Sequence, residues 1–161
     1  MNKRGHVLNA ILLSIGIGIL VEPNFDLSTA RSIAEVFVPV VLGALFPDVD
    51  TAFGKHRKTL HNLPLLGVVL AYPLVFSNLQ FVWIGVLTHY VLDVFGSTRG
   101  IALFYPLWDE EFNVPLGVPV SSKYSGVMML AVTAFEITIA AYILYLLPPE
   151  ALQVASEAIG L

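Results

Sequence analysis

Residues 124–147 read YSGVMMLAVTAFEITIAAYILYLL, 24 positions with a single charged side chain, Glu136. A helix needs about 20 predominantly apolar residues to cross the hydrocarbon of a bilayer, and this run exceeds that before Pro148-Pro149 closes it. Working outward, the same pattern recurs in shorter form. Val7 to Val21 is ended by Glu22-Pro23-Asn24, and a second run starts at Ser28-Thr29, expected N-caps, and reaches Phe46 before Pro47. Leu60 to Phe76 and Leu79 to Phe95 follow. The expectation is an all-α polytopic membrane bundle of five transmembrane helices, about 7–21, 29–46, 60–76, 79–95 and 124–147, in one domain over 1–161. The short runs fit a thinned bilayer or extend into flanking residues. Between the last two, Gly96 to Lys123 carries Pro106, Pro115 and Pro119 among Phe104, Tyr105, Trp108 and Phe112. It reads as an irregular interfacial loop with its aromatics at headgroup depth.

Composition agrees. Of 161 residues, 57% are hydrophobic and 12% charged, about half the charged share of a soluble domain. So few charges cannot cover a small soluble globule, and disorder, collagen and coiled coil are excluded. A net charge of −4 leaves no basic surface for nucleic acid. With no cysteine there is no disulfide framework and no thiolate site. Any transition metal must be held by histidine and carboxylate. Lys3-Arg4, an apolar run and Ser28-Thr29-Ala30 mimic a cleaved signal peptide. The long charged interval Glu22 to Leu27 between run and cleavage-like site argues against cleavage.

The positive-inside bias sets an expected orientation. With the N-terminus cytoplasmic and five spans, Lys3, Arg4, Lys55, Arg57, Lys58, Arg99 and Lys123 lie inside and only Arg31 outside. The C-terminus is then outside. This threading places His6, His56, His61, His89, Asp48, Asp50 and Asp93 on the cytoplasmic face.

Within Thr88-His89-Tyr90-Val91-Leu92-Asp93, the i,i+4 spacing puts His89 and Asp93 one turn apart on one helical face. Such a pair chelates an ion, lets the Asp orient the His, or closes a polar gap between helices. Phe46-Pro47-Asp48-Val49-Asp50 offers two carboxylates that share a side if the chain is extended. A lone pair of this kind is more often a solvated cap. Lys55-His56-Arg57-Lys58-Thr59-Leu60-His61-Asn62 follows, with His61 opening the third helix, His56 in the loop and His6 ahead of the first helix. Two ions bridged by a carboxylate and a water need about six protein donors, and the set has seven. Imidazole and carboxylate without thiolate favour zinc, one or two ions. Glu136, mid-span, stands outside the expected ligand set.

At these residues the sequence resembles the YdjM family of membrane-bound, metal-dependent hydrolases. The blocks that carry the likeness are Gly5-His6, Gly43-Ala44-Leu45-Phe46-Pro47-Asp48-Val49-Asp50, His56-Arg57-Lys58-Thr59-Leu60-His61-Asn62 and Thr88-His89-Tyr90-Val91-Leu92-Asp93. Gly5, Lys58 and Asn62 replace the Thr, Gly and Ser usual in that pattern. The order of ligands is also similar to zinc-dependent phospholipase C and the zinc single-strand nucleases, although a second His-x-x-x-Asp set is missing.

The expected function is metal-assisted hydrolysis, of a phosphoester and in particular a lipid-linked one in the cytoplasmic leaflet of the inner membrane. Asp48, His61, His89 and Asp93 lead the ligands, then His6 and Asp50, with His56 last. Arg57 is the candidate for neutralising substrate charge, since guanidinium matches phosphate oxygens in a fork. The rival is a non-catalytic membrane protein with a closed structural metal site. A metal transporter ranks lower, because it needs donors spread along a mid-membrane path and only Glu136 lies there.

Overall fold

The side chain of Asn2 accepts from the Gly5 backbone N–H and starts α1, Lys3–Val21, four residues earlier than the apolar run alone implies. His6 therefore sits inside the helix. It lies on the buried stripe His6, Asn9, Ala10, Leu13, Ser14, Ile17 and Gly18, whose spacing is that of one helical face. These elements belong to a computed structural model that describes residues 1–147. Pro148-Pro149 lie outside the described residues.

Asp26, not Ser28 or Thr29, caps α2, Leu27–Leu45. Its carboxylate takes the Ser28 and Thr29 N–H groups while Thr29 Oγ1 accepts from the Asp26 backbone, a reciprocal capping box. Pro47 ends α2 as expected but opens a 3-10 helix, Pro47–Ala52, in place of the extended chain considered for Asp48 and Asp50. Asn62 caps α3, Leu63–Phe76, so His61 precedes that helix rather than opening it. Ser77 and Leu79 take left-handed backbone, φ 54° and 53°, which no helix can continue. That turn delays α4 to Val82–Gly96. α5 spans Ser125–Leu146.

All five expected helices are present, and the described residues contain no strand, only two isolated bridges inside the 97–124 loop. Three of them, α1, α2 with its 3-10 extension, and α5, are long and apolar enough to cross a membrane. α3 and α4 are shorter apolar helices of 14 and 15 residues, about 21–23 Å at 1.5 Å per residue. They form a hairpin in which α3 packs on α4, and α4 in turn lies against α1, α2 and α5.

The core lies between α1 and α2, where Ala10, Leu13, Ile17, Val36, Val40 and Ala44 meet, with Phe81 and Ile84 closing it from the hairpin. α4 crosses α2 at Gly43 and Gly85. A Cβ on either glycine would run into the other helix's backbone, so the two small residues permit the close approach. α5 runs parallel to α1: Asn9 bonds Thr133, and at the far ends Tyr145 donates to the Leu20 carbonyl. Val127, Leu130, Phe135, Tyr142 and Leu146 of α5 are exposed, the outward apolar surface that lipid requires.

Candidate metal centre

The N-terminal end of α1, the C-terminal ends of α2 and α4, and the segment before α3 converge at one end of the bundle. There His6, Asp48, Asp50, Arg57, His61, His89 and Asp93 are all buried. His56 has a side chain 39% exposed.

Asp50 fixes two of the rings. One carboxylate oxygen accepts from His56 Nδ1 at 3.0 Å, and the other accepts from His61 Nδ1 at 2.9 Å and the Leu60 N–H at 3.3 Å. Since a carboxylate only accepts, the His61 proton is on Nδ1. His89 donates its own Nδ1 proton to the Ala44 carbonyl at 2.7 Å. Both Nε2 lone pairs are thereby left bare, and they face each other at 3.1 Å. Burial pushes the His61 imidazole below its ordinary value, against the opposing pull of Asp50 and Asp93. The neutral ring, the form that ligates, is therefore favoured.

Two carboxylates complete this focus. Asp93 Oδ2 lies 3.8 Å from His61 Nε2 and 3.7 Å from His89 Nε2, and Asp48 Oδ1 lies 3.8 Å from His89 Nε2. His6 stacks on His89 with centroids 3.7 Å apart. Both its ring nitrogens are buried without a hydrogen-bond partner, and Nε2 is 3.4 Å from Asp93 Oδ1. The same oxygen of Asp93 takes the Met1 amino group at 2.5 Å.

The donors form two groups able to hold a metal ion, His6–His89–Asp93 and Asp48–His56–His61, each with ligand atoms within 4.8 Å of one another. The chemistry fits. Zinc at about 2.0–2.1 Å from each of four tetrahedral ligands sets them roughly 3.3 Å apart. The facing lone pairs and the orphaned His6 nitrogens are the kind of buried polar atoms that a cation satisfies.

Asp48 and Asp50 both approach His56 Nδ1, at 3.9 and 3.0 Å, but otherwise take different partners. In a helix of three residues per turn, positions i and i+2 diverge. Asp48 reaches toward His89, and Asp50 stands behind the His56 and His61 rings. Arg57, at φ 69°, folds its guanidinium inward. NH1 donates to Ser97 Oγ at 3.2 Å, to the Gly100 carbonyl at 3.2 Å and to the Arg99 carbonyl, while NH2 lies 3.5 Å from Asp93 Oδ1. Its charge thus sits beside the centre, with one arm committed to the 97–100 turn.

Several contacts that brace the site carried no sequence signal. Tyr90 hydroxyl donates to the Leu60 carbonyl at 2.7 Å and accepts from the Asn62 N–H at 3.1 Å, pinning the segment that bears His61. The interfacial loop holds the same segment from outside, with the Ala102 N–H on the Arg57 carbonyl at 2.9 Å and the Leu63 N–H on the Leu103 carbonyl at 2.8 Å. Phe104, Trp108 and Phe112 cluster on that loop with centroids 5.6–6.4 Å apart. A cleft lined by Lys3, Leu45, Asp48, Val49, Thr51 and Ala52 opens beside Asp48.

The fold and its buried polar end define a helical membrane protein with histidine–aspartate groups that can bind metal. The pattern of the YdjM inner membrane protein family matches residues 1–155, and the chain belongs to that family. No curated protein and no solved structure matches it.

Proposed function

We propose that the chain is a membrane-bound, zinc-dependent hydrolase of phosphoesters, with a lipid-linked substrate. The observation that carries the reading is the pair of imidazole lone pairs facing each other at 3.1 Å, their Nδ1 protons already taken by Asp50 and Ala44. His61, His89 and Asp93 would hold one ion, leaving its fourth position free, and Asp48, His6 and His56 extend the donors toward a second. Bound zinc supplies Lewis acidity and lowers the pKa of water to about 7.

The chain's own residues do the rest. Asp50 orients His56 and His61, the support that outer carboxylates give to ligating imidazoles. Arg57 offsets the carboxylate charge from 3.5 Å. The cleft beside Asp48 is lined by the apolar Leu45, Val49 and Ala52 together with the cationic Lys3. That pairing suits an acyl or prenyl chain ending in an anionic phosphoester. Access at Asp48 also favours catalysis over a closed structural site, in which no position is left open. The positive-inside bias supports a cytoplasmic-leaflet location for this end of the bundle, with the C-terminus on the far side.

The test is turnover of mixed lipid phosphoesters in proteoliposomes. Metal-dependent release that is lost in Asp48→Asn supports the reading. Equal activity on a short soluble phosphoester with none on lipid overturns the lipid assignment. A metal-loaded protein inactive on both returns the site to a structural role.

A further inference from the structure

One turn along α1 from His6, a second polar cluster ties three helices together. Asn9 of α1 donates through Nδ2 to Thr133 Oγ1 at 3.1 Å and to Glu136 Oε2 at 3.0 Å, both on α5. Thr88 Oγ1 of α4 lies 2.6 Å from Asn9 Oδ1 and 2.6 Å from Glu136 Oε1. Thr133 spends its own proton on the Met129 carbonyl at 2.9 Å.

Asn9, Thr88 and Glu136 therefore make a ring of three contacts, each needing one proton. With Glu136 ionised, the ring holds two: one amide N–H and one Thr88 hydroxyl. Thr88 can donate across only one of its two contacts, and the other would set lone pair against lone pair at 2.6 Å. Turning the amide over moves the deficit to the Asn9–Glu136 contact without removing it. The distances favour the first arrangement, since 2.6 Å suits O–H···O, and 3.0–3.1 Å suits N–H···O. The carboxyl's partners are an amide and a hydroxyl, so no cation stands in for the missing proton. On the packed helices, the titratable groups next in sequence to its partners are His6, three residues before Asn9 on α1, and His89, next to Thr88 on α4. A bare carboxylate at mid-span is also the costlier state in lipid.

We propose that Glu136 is a neutral carboxylic acid that donates its proton to Thr88 and so positions α4, holding His89 against His6 and His61. Thr88 is the residue before His89, so its hydroxyl clamps the turn that aims the imidazole. Glu136 is thus a positioning residue that never touches the metal donors. Its effect on metal retention rests on the function proposed above, whereas its protonation and its hold on His89 do not.

The test uses the whole protein in lipid. Infrared spectra should show the C=O stretch of a protonated carboxylic acid that disappears in Glu136→Gln. Glutamine keeps the ring, its amide N–H donating to Thr88 and its carbonyl accepting from Asn9. The deshielded ring N–H of His89, bonded to the Ala44 carbonyl, should persist in the NMR spectrum of Glu136→Gln. It should be lost in Glu136→Ala and in Thr88→Val, the second being isosteric and free of a cavity. Metal retention should fall about tenfold in those two variants and stay at the wild-type level in Glu136→Gln. Absence of the protonated-acid band overturns the proposal, as does an unchanged His89 signal in Thr88→Val. A wild type that binds no metal overturns the function above, while the infrared and NMR results still decide this inference.

Discussion

His61 Nε2 and His89 Nε2 face each other at 3.1 Å, one from the segment before α3 and the other from α4, with both Nδ1 protons committed elsewhere. Two neutral imidazoles turn their lone pairs together only at a cost that a shared cation or proton removes. Asp93 Oδ2 lies 3.7–3.8 Å from both nitrogens and adds negative charge that favours a cation between them.

Purified protein should carry about one to two zinc ions per chain after mild dialysis. His89→Ala and Asp48→Ala should each lower that content in elemental analysis. Full retention in both would remove the centre.

Asp50→Asn tests the supporting carboxylate. An amide can accept from one ring and no longer carries charge, so His61 loses its fixed tautomer. Metal affinity should fall about 10–100-fold while the helical circular dichroism is kept. An unchanged affinity would mean that Asp50 only fills space.

The crossing of α2 and α4 depends on two absent side chains. Gly43→Leu or Gly85→Leu should drive the helices apart and destabilise the bundle by about 1–3 kcal/mol. The readout is thermal unfolding in detergent, where an unshifted midpoint would contradict the close approach.

Reporter fusions after Lys58 and after Lys123 should behave as cytoplasmic and a fusion at the C-terminus as exported. The prediction follows from seven cations against one. An active cytoplasmic reporter at the C-terminus would reverse the final helix.

Arg99 forms a two-pronged ion pair with Glu111 across the interfacial loop. The hydrogen bond from Arg99 holds the Glu111 carboxyl below its ordinary range, more than burial raises it. A depressed carboxylate stabilises the fold above its unfolded value of about 4.3 and loses that contribution as pH falls through the folded value. Because the Arg99 side chain is 61% exposed, the effect should stay below about 1 kcal/mol. Limited proteolysis of the loop should accelerate below pH 4 in wild type and show no such step in Arg99→Ala.

The five helices and the class of protein were legible in the order of residues, because lipid selects apolar side chains one by one, whatever they later touch. So was the His89–Asp93 pair, since i,i+4 residues meet on any helix. Helix ends were partly legible: Pro47 stopped α2, but Asn2, Asp26 and Asn62 set the starts through side-chain bonds that hydropathy does not register. How the site residues divide their work emerged from the packing of the helices. The 3-10 turn turned Asp48 toward His89 and Asp50 toward His61, and the 97–100 turn drew one arm of Arg57 onto carbonyls 42 and 43 residues away. Glu136 looked like an isolated charge until α1 and α4 brought Asn9 and Thr88 to it from 127 and 48 residues away. A side chain's role in a buried site depends on which lone pairs and protons face it, and chain neighbours do not supply those.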